Sequence, residues 1–297
     1  MKPELRTRHF RIGVIHASLT TSMPRLLDEY TSLYREFQTD RPGEGEIRIM
    51  VGRTPLSARH RRRYQVSADG FVHFEPTRFQ EVLPYVEWSL NLQIPRVMPQ
   101  SLQLHSSALE IDGQGVILPG LSGVGKSTLT AGLLARGWRY LCDEFALIHA
   151  KTLQLQPYPR AICIKRASHP IIESLGLAVH GNRHYVKAAK GLVGFIKPTS
   201  VRPDVVGRAC PIRYVVFPKY ARNARPALVP ISRAEAAFEL HRFCFNLLRC
   251  RAVGLDVLAG VVRGASCYRL TAGEIRQTCD VVEKLVDRAE GHRARSA

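Results

Sequence analysis

Apolar and polar residues alternate or recur along the chain in two registers, and the change between them divides it. Near the N-terminus an apolar stretch from Phe10 to Ile15 precedes a helical pattern from about Pro24 to Phe37, with Pro24 suited to a first helical position. Glu46 to Gly52 alternates like a half-buried strand, and Tyr64 to Phe74 reads as a hairpin turning at Asp69-Gly70. Phe79, Val82, Leu83, Val86 and Leu90 then fall at helical spacing despite Pro84. These elements predict a small accessory α+β unit.

From Ser101 the pattern becomes that of a core built on buried strands. Leu104 to Ile111 and Gly115 to Leu118 are expected strands joined by a turn at Asp112-Gly113. A helix follows with Leu129, Leu133 and Leu134 on one face, stopped at Gly137, where a left-handed residue costs glycine little. Arg139 to Cys142 returns as a strand ending in Asp143-Glu144. Further strands are expected near Ala161 to Ile164 and Tyr214 to Phe217, and helices near Arg233 to Leu248 and Gly273 to Arg288, before a basic tail GHRARSA. Tyr185 to Pro203, rich in Lys, Gly and Pro, reads as a basic loop. The expected division is an accessory unit over 1–98 and a nucleotide-binding unit over 99–297.

Composition narrows the class without choosing the function. The chain is ordinary globular material, 45% apolar and 23% charged, and no run of 18 apolar residues predicts a membrane span. The N-terminal MKPELRTRHFRIG has charges where a secretory signal needs an apolar stretch, so a cytoplasmic protein is expected. Seven cysteines lie scattered, with no CxxC and no Cys/His spacing that closes a zinc site, and are expected to be reduced core thiols. A formal net charge of +18 points to an anionic partner. The densest basic cluster, Arg59 to Arg63, has Tyr64 beside it but no aromatic series. It is expected to be a solvated loop, and nucleic acid is not the expected partner.

The chemistry is concentrated in one motif. Residues Gly120 to Ser127, GLSGVGKS, satisfy GxxxxGK[ST] between an expected strand and an expected helix. Gly120, Ser122, Gly123, Val124, Gly125, Lys126, Ser127 and Thr128 are therefore the expected nucleotide-binding residues. Their amides would turn inward around phosphate oxygens at a helix N-terminus, with Lys126 on the β and γ oxygens and Ser127 on Mg²⁺. A carboxylate must then serve the metal and the acceptor hydroxyl. Asp143 and Glu144 stand at the strand end after the P-loop helix, where ligands bind in open α/β sheets. On an extended backbone they would point to opposite sides, so Asp143 is expected to be the base and Glu144 the metal-side ligand.

These residues resemble the HPr kinase/phosphorylase family of P-loop serine kinases, whose core is similar to phosphoenolpyruvate carboxykinase. The likeness is carried by residues 100 to 150: His105 in HSSALEIDGQGVILPG, the loop GLSGVGKS, and the adjacent acids Asp143-Glu144 after Leu-Cys. It implies an α/β P-loop kinase core with ATP and Mg²⁺ as cofactors. It also implies that Lys126 and Asp143 are catalytic, that His105 lines the site beside Asp143, and that a homo-oligomer forms. From the residues alone, His105 reads equally as a buried strand-end histidine. The chain departs from the family in having Glu144 as second acid and no EIRGLG-type signature in Lys165 to Gly176, so neither phosphorolysis nor HPr as acceptor carries over. It looks closer to HPr-kinase-related proteins encoded beside peptide-modification genes, some of which phosphorylate lasso-peptide precursors. The expected activity is γ-phosphoryl transfer from ATP to a serine of a peptide or small protein. Lys187, Lys190 and Lys197 then meet either an acidic peptide and phosphate or simply solvent. Two other readings stay open: a small-molecule P-loop kinase, and a nucleotide-gated binding module without transfer.

Overall fold

A computed structural model describes residues 4–54 and 64–293. The cluster Arg59 to Arg63 and the last residues of the basic tail lie outside the described residues. The fold is mixed α/β, as expected. In chain order the first elements are β1 (Arg6–Ile12), β2 (Ile15–Thr21), α1 (Pro24–Leu33), β3 (Gln38–Thr39), β4 (Ile47–Arg53), β5 (Tyr64–Ala68), β6 (Phe71–Phe74) and α2 (Phe79–Val97). There follow β7 (Ser101–Ile111), β8 (Gln114–Pro119), α3 (Lys126–Ala135), β9 (Arg139–Cys142), β10 (Phe145–His149), β11 (Gln154–Gln156), β12 (Ile162–Lys165), α4 (His169–Ser174), β13 (Tyr185–Val186) and β14 (Leu192–Ile196). The chain closes with β15 (Cys210–Tyr220), β16 (Ala227–Pro230), α5 (Arg233–His241), α6 (Leu247–Gly264), β17 (Ser266–Ala272) and α7 (Ile275–Arg293).

Two compact units share these elements. The first comprises the chain up to Ser101 together with Tyr158–His169 and Ala178–Ser200, where the sequence expectation drew one cut after residue 98. Its main sheet has the order β3-β1-β2-β4-β5-β6, and a second, three-stranded sheet has the order β12-β14-β13. Tyr185 to Pro203 is therefore not the loop that its composition suggests. Val193, Phe195 and Ile196 are buried on β14, and hydrogen-bonded pairing to β12 outweighs the local Gly, Lys and Pro content. Within this unit Arg160 is 1% exposed and donates from Nη1 to the Glu87 carbonyl at 2.6 Å and to Asn91 Oδ1 at 2.7 Å. Glu87 also accepts from the Tyr34 hydroxyl at 2.9 Å. Burial holds the Tyr34 phenol well above its ordinary range, with Glu87 adding to the effect, so it stays a donor. Lys197 pairs with Glu36 at 2.6 Å and Lys187 is buried, so neither is merely solvated.

The second unit carries the P-loop on a sheet of order β11-β10-β7-β8-β15-β17-β16, with β9 on β7 and β11 also pairing β15. β8 is parallel to β15, which is parallel to β17, so three strand ends face the same way. β8 is buried along its whole length, matching its continuous apolar run. Gly137 ends α3 with φ +99, as the helix-stop signal predicts.

The helix expected over Arg233 to Leu248 breaks in two. Residues 242–246 leave it and pair with β7: His105 N donates to the Phe243 carbonyl at 2.7 Å, Phe245 N to the Gln103 carbonyl at 2.9 Å, and Gln103 N to Asn246 Oδ1 at 2.9 Å. Satisfying the buried β7 backbone outweighs helix continuity there. All seven cysteines are free, and five are buried. Among the described residues no helix is long and apolar enough to cross a membrane.

Candidate active site

The P-loop follows directly from β8. Its glycines are required by the backbone: Gly120, Gly123 and Gly125 have φ of +156°, +100° and +96°, and a Cβ on Gly120 would lie 2.9 Å from Val124 Cγ2. Gly125 caps α3, and its carbonyl accepts the first helical bond from Leu129 N at 2.9 Å. Ser122 lies exposed in the loop and Thr128 is half-buried in the first turn of the helix. Lys126 is buried and folds back on the loop, with Nζ donating to the Gly120 carbonyl at 2.6 Å and the Leu121 carbonyl at 2.8 Å. These are contacts that an anion in the loop could replace at no loss of charge-assisted bonding.

Asp143 is 2% exposed, and both of its oxygens are engaged. Ser107 Oγ donates to Oδ1 at 2.6 Å; Ser127 Oγ donates to Oδ2 at 2.9 Å and lies 3.2 Å from Oδ1. The motif serine and the first acid of the pair are thus brought together. Ser107 was not singled out from the sequence, although it stands two residues after His105 on the same strand and so on the same face of β7.

Asp143 and Glu144 do not sit on an extended strand. β9 ends at Cys142, β10 begins at Phe145, and Glu144 adopts a left-handed φ of +79°. Its carbonyl accepts from Ser106 N at 3.2 Å, tying the turn to β7. The opposite-sides argument therefore does not apply, because strand alternation is interrupted between the two acids.

His105 holds the start of the P-loop through its backbone, its carbonyl accepting from Gly120 N at 3.3 Å. Its ring belongs to an aromatic shelf. The ring centre of His105 is 5.7 Å from Phe245 and 6.5 Å from Phe145, and Phe145 and Phe245 stack at 4.4 Å. Phe145 is buried beneath, while Phe245 is 56% exposed. No local pattern marks Phe245, which reaches the site only because 242–246 pairs with β7. Burial pushes the neighbouring Cys244 thiol up to about 12, so it remains a neutral structural thiol.

The donor set suits Mg²⁺. Mg²⁺ is held by few protein ligands, with phosphate oxygens and water completing its shell. The Ser127 hydroxyl against the Asp143 carboxylate supplies hard oxygens at the mouth of the loop.

No family model matches the chain. It is 34% identical over 62 residues to an HPr kinase/phosphorylase of Nitrosomonas europaea, covering 21% of this chain and 19% of the relative. It is 36% identical over 67 residues to an HPr kinase/phosphorylase of Lactobacillus acidophilus, covering 23% and 21%. The chain thus spans about a fifth of the length of the curated relatives it matches. The solved HPr(Ser) kinase/phosphatase from Coxiella burnetii aligns with a TM-score of 0.34 at 13% identity, covering 65% of this chain and 96% of that one.

Proposed function

We propose that this HPr kinase-like chain is an ATP-dependent kinase that transfers the γ-phosphoryl group to a serine hydroxyl of a peptide or small protein, with a lasso-type precursor peptide as the first acceptor to try. The observation that carries the reading is the buried Asp143 carboxylate held 2.9 Å from Ser127 Oγ at the start of the P-loop helix. Loop amides and the α3 N-terminus bind and orient the phosphates, and Lys126 exchanges its loop carbonyls for phosphate oxygens. Ser127 and Asp143, with Glu144 adjoining them, would hold Mg²⁺, which when bound offsets charge that develops on the phosphoryl oxygens.

Asp143 accepts the proton of the serine hydroxyl as that oxygen attacks in line. Ser107 fixes one oxygen of the carboxylate, leaving the Ser127-facing oxygen to respond to ion and acceptor. Asp143 thus adds a metal-side contact to its part in proton transfer. His105 and Phe245 line the approach and exclude water.

The test incubates the protein with ATP, Mg²⁺ and candidate peptides, including small open reading frames encoded nearby, and reads a mass gain of one phosphoryl group on serine. Asp143→Asn should slow the gain about 10²- to 10⁴-fold. Turnover of small metabolites with no peptide labelled, or nucleotide binding with no transfer to anything, would overturn the proposal.

A further inference from the structure

The loop has different neighbours on its two sides. Asp143 lies on the β7 and β9 side of β8, and Tyr220 ends β15 on the other side. Tyr220 Cβ is 3.6 Å from the place a Cβ would take on Gly125, so it stands against the residue that begins the P-loop helix. If the transferable phosphate faces Asp143, the other end of the nucleotide leaves the loop toward Tyr220.

A cavity of about 550 Å³ opens there, at the C-terminal ends of β15 and β17, within the range of ordinary small-molecule sites. Tyr220 is half exposed on its wall, and the side chains of Asn223 and Gln277, with Ser174, supply donors and acceptors. The walls are fastened to each other. Ala221 N donates to the Ala272 carbonyl at 2.9 Å, and Gly273 packs so closely on the next turn that a Cβ would lie 2.0 Å from the Ala224 carbonyl oxygen. The site is therefore preformed.

Its lining carries one residue of each charge, Arg225 and Glu274. The Glu274 carboxylate already accepts from Arg276 N and Gln277 N, each at 2.9 Å, so the first turn of α7 is occupied by the protein's own negative charge. The rest of the lining suits a planar, polar group, with an aromatic face at Tyr220 and two primary amides that can bond to a heterocycle edge.

Resting on the proposed nucleotide-dependent reading, we infer that this cavity is the nucleoside subsite, with Tyr220 stacking on the base and Asn223 and Gln277 contacting its edge. Nothing in the P-loop motif specifies these residues.

The test compares MgATP with magnesium tripolyphosphate by calorimetry, using the intact chain and its Tyr220→Ala, Tyr220→Phe and Gln277→Ala variants. Tyr220→Ala should weaken MgATP binding about tenfold or more, as loss of one base–aromatic stack does, while tripolyphosphate affinity stays unchanged and Tyr220→Phe retains ATP affinity. Unchanged tripolyphosphate binding also reports that each variant is folded. Unaltered ATP affinity in both alanine variants would remove the subsite and leave the P-loop reading standing. Equal losses for both ligands would likewise overturn it, since the residues would then act on the loop. A parent protein that binds neither ligand would overturn the proposed function itself.

Discussion

Ser127 Oγ donates to Asp143 Oδ2 across 2.9 Å, joining the first turn of the P-loop helix to the end of β9. The acid at the head of the Asp-Glu pair is therefore in contact with the hydroxyl expected to ligate the ion. Asp143→Asn keeps the shape and removes the charge. Phosphoryl transfer should fall about 10²- to 10⁴-fold, and the magnesium concentration giving half-maximal rate should rise. Single-turnover rates across a magnesium series read both effects, and a variant with parental rate and midpoint would remove Asp143 from the chemistry.

Ser107 Oγ is 2.6 Å from Asp143 Oδ1 in a buried position. Ser107→Ala removes a charge-assisted bond of about 1.5–3 kcal/mol, so kcat should fall about tenfold or more with nucleotide affinity retained. Paired measurement of kcat and MgATP affinity checks this; a loss confined to affinity would contradict it.

Phe245 caps the shelf over Phe145 and His105 and remains 56% exposed. Phe245→Ala should raise KM for the peptide acceptor several-fold and leave MgATP binding untouched. Steady-state kinetics with the acceptor varied, beside nucleotide titration, separates the two.

In the first unit, Arg160 and Glu87 are 1% exposed each, with Nε to Oε2 at 3.6 Å. Glu87→Ala removes the carboxylate that faces the buried guanidinium and also the acceptor of the Tyr34 hydroxyl. A loss of about 3–5 kcal/mol is expected, read as a lower urea midpoint. Retained stability would mean that water or another group takes the charge.

Burial pushes the thiols of Cys210, Cys244 and Cys279 up to about 12. In the unfolded chain they ionise near the ordinary cysteine value, so between about pH 9 and about pH 12 the unfolded state binds fewer protons than the folded one. Stability should therefore fall as pH rises through that window, by at most about 1.4 kcal/mol per pH unit for buried Cys279 and by less for half-buried Cys244. Urea denaturation from pH 8 to 10.5 measures the slope, and substitution of Cys279 by serine tests its share. A flat profile would show that these thiols do not control alkaline stability.

How much of this was legible varies by element. The strand–loop–helix of 114–135 is written in a continuous apolar run, three loop glycines, two of them at the motif's fixed positions, and a helix-stopping Gly137, all of which act over a few residues. The hairpin turn at Asp69-Gly70 is likewise local: β5 and β6 flank it, and both turn residues have positive φ. β14 was not legible, because its strand character comes from β12 and buried Phe195 rather than from its own Gly-Lys-Pro surroundings. The break at 242–246 was hidden for the same reason. Its helical spacing is real, but the decisive partner, β7, lies far away in sequence.

The amino-acid order by itself determined the geometry of the Gly120–Ser127 loop, since its turns, the helix start and the reach of Lys126 are set by residues within one loop. Tertiary structure alone decided what surrounds it: Ser107 against Asp143, Phe245 over His105, Tyr220 beside Gly125, and the left-handed Glu144 that breaks strand alternation after Asp143. The physical reason is range. Steric and hydrogen-bonding preferences of neighbouring residues act along the chain, whereas these contacts arise from burial and strand pairing between segments that only folding brings together.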